Sequence, residues 1–389
     1  MRGTIAILIA MLVTVSCGSG PTASRPSPVA TTSPTASASA SPTARPDPSS
    51  LPKLAGAYGL LYSRPNVDPR GLLHLVKADG TLAASVSMLW GGQSISCRAS
   101  TDAVNIPPPV SASDGHVYFR EGAAIRMVVA PSTKVDVTTV PDSPSVISMF
   151  SVRPDDQKIA VVVVDTSSPT TITTRLYVED LLGGGHHADI YTTSTPKSGT
   201  PTILWPMGWH QGNLVLAVVP ACIFGPREGP TEWHVSSPVT ANRVATIKGS
   251  NCQRSVWPSP AGVACAQGLG PTTLYDWTGK VVGDTGPGIA FTISDTGLSP
   301  AGQSIYFQGA ATRIVQLGPG PYATVDSYAA CGWIDEDHLL ATSAVITFPA
   351  ETAGNVHVTA TAKALPQSAL PDPSTPLSST CAGRFPGSL

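Results

Sequence analysis

The densest group of side chains able to do chemistry in this 389-residue chain lies between Glu179 and Asp189. Glu179, Asp180, His186, His187 and Asp189 flank the run Gly183-Gly184-Gly185. Imidazole and carboxylate together ligate transition ions, and a glycine-rich turn is able to fold such ligands inward. A plainer reading competes with this one. Leu176-Tyr177-Val178-Glu179-Asp180 has the make-up of a strand, the glycines form its hairpin turn, and both histidines stay in water. The cluster Asp335-Glu336-Asp337-His338 divides in the same way between turn and ligand set. In both places the turn is the expectation, and no metal or other cofactor is assigned. The chain holds no Gly-x-Ser-x-Gly elbow, no phosphate-binding Gly-x-x-x-x-Gly-Lys-Ser/Thr and no His-Glu-x-x-His, so no catalytic residue is assigned either. Asp and Glu residues scattered along the chain could still converge as a carboxylate pair, the chemistry of glycoside-processing sites.

Composition limits what could hold such residues. Charged residues make up 12% of the chain, which carries 38 Pro, 36 Gly and a net charge of -2. That is about half the usual charge and about twice the usual proline. Coiled coils and helical bundles need Lys, Glu and Arg on their wet faces, and they are excluded on this ground. With no basic block to neutralise phosphates, no nucleic-acid partner is expected. Polar surface must come from Ser, Thr, Gly and Pro, which favours an all-β chain rich in turns.

The amino terminus is read as a targeting segment. Residues 1–17 place Arg2 before an apolar run from Ile5 to Val15, shorter than a membrane span and ending at Thr14-Val15-Ser16-Cys17. Those last four residues resemble a bacterial lipobox, although Thr14 stands where Leu is usual. The resemblance implies cleavage after Ser16, a diacylglycerol on Cys17, and a protein exported and anchored to the outer face of the bacterial cell membrane or envelope. An ordinary signal peptide cut nearby is the alternative. Residues 18–52 are almost wholly Ser, Thr, Ala and Pro. They have nothing to bury and read as a disordered tether with a reach on the order of 100 Å.

Residues 53–389 are read as one domain with a Pro-rich C-terminal tail. A turn followed by a short β-branched or aromatic run recurs at 111–119, 152–161, 208–217, 258–266, 298–307 and 332–341, with a degenerate copy at 57–62. Each is followed by a second run, at 71–76, 125–129, 175–180, 273–277, 312–317 and 356–360. Seven units of roughly 48 residues, each of three or four antiparallel strands, match the blades of a β-propeller. Six or eight blades remain open, and paired β-sandwiches are the rival fold. At 151–180 and 297–317 the pattern resembles the Ser-Pro-Asp-Gly and Leu-Tyr-Val-x-Asp strands of TolB-type and related WD-repeat-like β-propellers. Trp209, Trp257 and Trp333 stand just before the turn in their copies and are expected to wedge between blades.

Without Cys17 six cysteines are left: Cys97, Cys222, Cys252, Cys265, Cys331 and Cys381. An even number in an exported chain points to a disulfide set, and the absence of Cys-x-x-Cys leaves a redox motif or zinc ribbon without support. Two of Cys222, Cys252 and Cys265 are expected to pair, and Cys381 is expected to staple the tail to the last blade through Cys331. The expected function is a non-catalytic binding or scaffold module, held to the lipid bilayer through Cys17, that meets a protein or glycan through its loops. A carbohydrate- or peptide-directed enzyme with a carboxylate pair in the propeller channel is the alternative, and a small remainder is a metal- or ligand-sensing role for His186 and His187.

Overall fold

In the third repeat the run Lys158–Asp165 is apolar on both faces and buried almost from end to end, as a strand must be when its sheet is sandwiched between two others. Its outermost neighbour, Ala188–Pro196, is largely Thr and Ser and mostly exposed. The sheet therefore grades from apolar to polar across its strands, which stacks sheets radially around an axis. A computed structural model of the chain shows this arrangement. It describes residues 47–389 except 66–69, 91–92, 97–102, 130, 200, 222–229, 249–257, 267–271, 286–294, 310, 319, 350–353, 355, 367 and 370–376. Within the unit Arg45–Leu389 seven antiparallel sheets form seven blades; the only helical element among the described residues is one turn at Pro48–Ser50.

Blade 2 runs through Val110–Ala112, Val117–Glu121, Ala124–Val129 and Thr133–Thr139. Blade 3 runs through Val146–Val152, Lys158–Asp165, Thr171–Asp180 and Ala188–Pro196, and blade 4 through Thr202–His210, Asn213–Pro220, Glu232–Ser236 and Arg243–Lys248. Blade 5 has Val263–Ala266, Thr272–Tyr275 and Val281–Asp284; blade 6 has Asp295–Leu298, Ser304–Gln308, Thr312–Gln316 and Tyr322–Val325; blade 7 has Ala330–Trp333, His338–Ala341, Ala344–Thr347 and Thr361–Ala364. Strands are lettered A to D from the axis outwards. The A strands of blades 1, 2, 3 and 4 touch in succession, as do those of blades 6, 7 and 1.

Blade 1 closes the ring with the two ends of the domain. Its outer strands are Tyr58–Pro65, Arg70–Val76 and Leu82–Leu89, and its A strand is Leu377–Phe385, paired antiparallel to Tyr58–Pro65. The degenerate seventh copy at 57–62 thus has its lead-in at the far end of the sequence. Cys381 belongs to this innermost strand, not to a trailing tail. It lies at disulfide distance from Cys331 on the A strand of blade 7, with Cα atoms 5.7 Å apart, so the bridge spans the seam where the ring closes. The run at 356–360 is not the third strand of its blade. Ala344–Thr347, buried over three of its four residues, takes that place, while Tyr322 and His357 form a parallel bridge that covers the outer edge of blade 6. A further hairpin, Gln93–Ser96 with Ala103–Ile106, is inserted between blades 1 and 2.

Trp209 and Trp333 are both buried at matching places. The Trp209 indole donates to the Ser151 carbonyl at 3.3 Å, and the Trp333 indole to the Gly297 carbonyl at 2.8 Å. In each case the acceptor lies on the A strand of the preceding blade, so the ring is a wedge tied to its neighbour. Trp257 lies outside the described residues.

Candidate functional site

In a blade whose four strands run up and down, the A–B and C–D turns gather on one face of the disc and the B–C and D–A connections on the other. The A–B turns are sewn blade to blade. The Asp114 amide donates to the Pro154 carbonyl at 3.0 Å, the Ser259 hydroxyl to the Ser299 carbonyl at 2.6 Å, and the Ala301 amide to Glu336. The strongest stitch joins blades 2 and 3. The carboxylate of Asp156, in the A–B turn of blade 3, accepts from His116 Nδ1 at 2.9 Å and from the Tyr118 hydroxyl at 2.8 Å. All three residues are buried, and Asp156 holds a φ of 62°, a conformation that Asp tolerates better than most residues. Burial works against the charged carboxylate, but hydrogen bonds from His116, Ser113 and Tyr118, with the attraction of His116, outweigh it and hold the group below the usual range.

Both ends of the described chain lie on this sewn face. Residues 47–54 approach blade 2 there, the Leu54 amide donating to the Gly115 carbonyl at 2.9 Å, and Leu51 packs on the cluster containing Tyr118 and Phe150. At the other end, Gly387 N donates to Ser113 O at 3.0 Å and Leu389 N to Trp209 O at 2.9 Å. The opposite face carries the connections between blades 1 and 2 and between blades 7 and 1, together with the B–C connection of blade 4. They are much longer than the A–B turns, and length is what lets a connection carry recognition.

At the centre lies a cavity of about 70 Å³ lined by the A strands of blades 1 to 4, among them Val110, Met149, Trp205 and Arg384. Ile106 and Pro107–Pro109, from the foot of the inserted hairpin, line it too, and Leu389 borders it at the sewn face. Ile95 and Ile106 share an apolar cluster with Met149 and Trp205, which fixes the hairpin against the axis. Among the described residues that line the cavity, none is Asp or Glu. The carboxylate pair of the enzymatic alternative has no members there. Among the described residues on the wall, Arg384 is the one with a charged side chain. Burial pulls its guanidinium down to about 10, with Asp114 and Glu336 acting in the opposite sense.

The residues singled out for metal binding fall into two groups, His187 between Glu179 and Asp189, the latter 3.6 Å from its Nε2, and His186 on Asp180. His187 Nδ1 meets Glu179 at 2.7 Å and His186 Nδ1 meets Asp180 at 2.5 Å, while Lys158 also bonds Asp180 at 2.5 Å. The His187 ring stacks at a tilt on Tyr177, centroids 4.5 Å apart, and the His186 side chain is 83% exposed. Glu179 and Asp180 sit at the end of a strand and the glycines form the C–D turn. No cluster able to hold a metal ion occurs among the described residues. His338 pairs with Asp335 at 2.7 Å inside the A–B turn of blade 7. Cys265 is disulfide-bonded; Cys17, Cys97, Cys222 and Cys252 lie outside the described residues. Sequence reading missed Arg384 and Trp205, which are remote in the chain and meet only when the ring closes.

No protein-family profile matches the chain and no curated protein matches it. Many solved structures resemble it. One is a complex of KlAtg21 with the coiled coil of AgAtg16, at 10% identity and a TM-score of 0.41, covering 80% of this chain and 100% of that one. Sqt1 of Saccharomyces cerevisiae is 11% identical with a TM-score of 0.36, over 66% of this chain and 84% of that one. A study of two prolyl endopeptidases supplies a third, 10% identical with a TM-score of 0.38; the match takes in 66% of this chain and spans only 38% of the peptidase. At such identities the likeness is one of fold alone.

Proposed function

We propose that this chain is an exported lipoprotein of the bacterial cell envelope, anchored through Cys17, whose propeller binds a protein or glycan partner on the face of its long connections and performs no catalysis. The asymmetry of the disc supports this reading. One face is sewn turn to turn and receives both residues 47–54 and residues 386–389, whereas the opposite face carries the long connections. Residues 18–46, read as a tether of roughly 29 residues with a reach on the order of 100 Å, would let that face search for partners well away from a lipid surface. The TolB-like turns agree with a binding role. Few charges on the disc favour recognition through polar, weakly charged loops with little dependence on salt.

The test places a photo-crosslinking residue at Ser167, exposed in the B–C connection of blade 3, or at Thr240, exposed in the C–D turn of blade 4, in the full chain in its native envelope. Adducts from Ser167 and none from Thr240 are expected. Adducts from Thr240 alone, or from neither position, would overturn the assignment of the face. Lipidation is read separately by mass spectrometry of the residue at 17, with Cys17→Ala expected to release the protein into the medium.

A further inference from the structure

The last residues of the chain occupy the cavity mouth as a ligand would. From Gly387 to Leu389 each main-chain amide has an acceptor on the disc: Gly387 N donates to Ser113 O at 3.0 Å, Ser388 N to Asp114 Oδ1 at 3.4 Å, and Leu389 N to Trp209 O at 2.9 Å. Two of the carbonyls are also held, Ser388 O by Arg384 Nη2 at 2.9 Å and Leu389 O by His210 Nδ1 at 2.7 Å. The Leu389 side chain packs against the apolar cluster that contains Trp205 and Trp209. Shape is selective as well. A Cβ on residue 387 would run into the backbone of Ala112, and one on residue 208 would run into the Leu389 side chain. The groove therefore fits glycine at the first position and an aliphatic residue at the third.

Two donors on residues that line the cavity are not used by this segment. Trp205 Nε1 and Arg384 Nε are both buried without a hydrogen-bond partner, and Trp205 is only 6% exposed. A buried donor left unmade costs about 1 to 3 kcal/mol, so each favours an occupant that brings an acceptor oxygen. The tail meets the guanidinium through one carbonyl and leaves its Nε unsatisfied.

We infer that the central cavity is a peptide-binding subsite, with residues 386–389 as a displaceable plug, that takes an extended segment with glycine at its first position and an aliphatic residue at its third. Arg384 and His210 hold the carbonyl or carboxylate oxygens of that segment, the carbonyls of Ser113 and Trp209 accept its amides, and the wall beside Gly208 receives the aliphatic side chain. This deepens the reading of the chain as a binding module but uses a different face, so either can fail alone.

The experiment uses purified protein and a fluorescently labelled Pro-Gly-Ser-Leu peptide read by anisotropy, with Pro-Ala-Ser-Leu as control. A chain ending at Phe385 is expected to bind the peptide at least tenfold more tightly than the full chain, and the alanine control at least tenfold more weakly than the peptide. Arg384→Gln in the shortened chain is expected to lose most of that binding. If the shortened chain melts cooperatively yet shows no saturable binding, or binds both peptides equally, the inference is wrong. Should shortening abolish folding, Gly387→Ala in the full chain sets the plug's own Cβ against the Ala112 backbone and leaves the groove unaltered, and a rise in peptide affinity is expected there; an unchanged affinity would overturn the inference. Crosslinking at Ser167 is unaffected by any of these results, which separates this subsite from the partner face.

Discussion

Replacing Asp156 by alanine tests whether the sewn face depends on this buried carboxylate. The side chain accepts from His116 at 2.9 Å and from Tyr118 at 2.8 Å, and neither donor is exposed enough to turn to water instead. Alanine would leave two buried donors unmade, at about 1 to 3 kcal/mol each. It would also place a Cβ with no local hydrogen bond at a φ of 62°, adding about 1 kcal/mol. A total loss of about 4 kcal/mol follows. For a folded body of this size the melting entropy is about 0.7 kcal/mol per degree, so Tm should fall by about 6 °C at pH 7. Asp156→Gly loses the same bonds without the backbone cost and should recover about 1 kcal/mol, whereas Asp156→Asn keeps one acceptor and should lose about 1 to 2 kcal/mol. Because the folded carboxyl lies below its unfolded value, its contribution is present above about pH 4 and disappears as the pH falls through the folded pKa. Calorimetry of the four proteins at pH 7 decides the matter. A Tm for the alanine variant within 1 °C of the parent, or glycine more damaging than alanine, would refute the reasoning.

Three further outcomes are expected. His74 is buried between Ser63 and Ser85, 2.8 Å from each hydroxyl, and burial holds its imidazole at about 4; the unfolded chain then binds more protons between about pH 4 and 6.5, so stability should rise by up to about 3 kcal/mol across that window, and urea midpoints of His74→Gln should lack this rise. Removing the bridge across the ring closure with Cys331→Ser and Cys381→Ser together opens a loop of 50 residues, which should cost about 4 kcal/mol in denaturant titrations, against no loss if the seam is held by strand pairing alone. Trp333→Phe should cost more than Trp209→Phe in the same titration, by on the order of 0.5 kcal/mol, since the indole bond across the blades is 2.8 Å in the first and 3.3 Å in the second.

Much of the disc is legible in the residues themselves. Turns such as Pro154-Asp155-Asp156-Gln157 and the apolar run that follows them are local features, because a hairpin is set by a few adjacent residues, and they mark the blades in order. Trp209 and Trp333 announce themselves by standing at the same place in their repeats. The strand 344–347 was harder to see, since four small and β-branched residues carry less signal than the longer run at 356–360 that binds the edge of blade 6.

What the chain alone could not decide depends on its two ends meeting. Pairing of Leu377–Phe385 with Tyr58–Pro65 joins residues more than 300 positions apart, and no local propensity encodes such a contact. That closure turns Cys381 from a tail residue into a ring clasp. It also carries Arg384 and Leu389 to a cavity shared with Trp205, where sequence distance hides every neighbour. Composition and repeat thus determine an all-β disc, because it rests on local backbone preference and on burial periodicity. The site at its centre is decided only by the closed ring, because the groups that build it come from blades far apart in sequence and are brought together by packing around one axis.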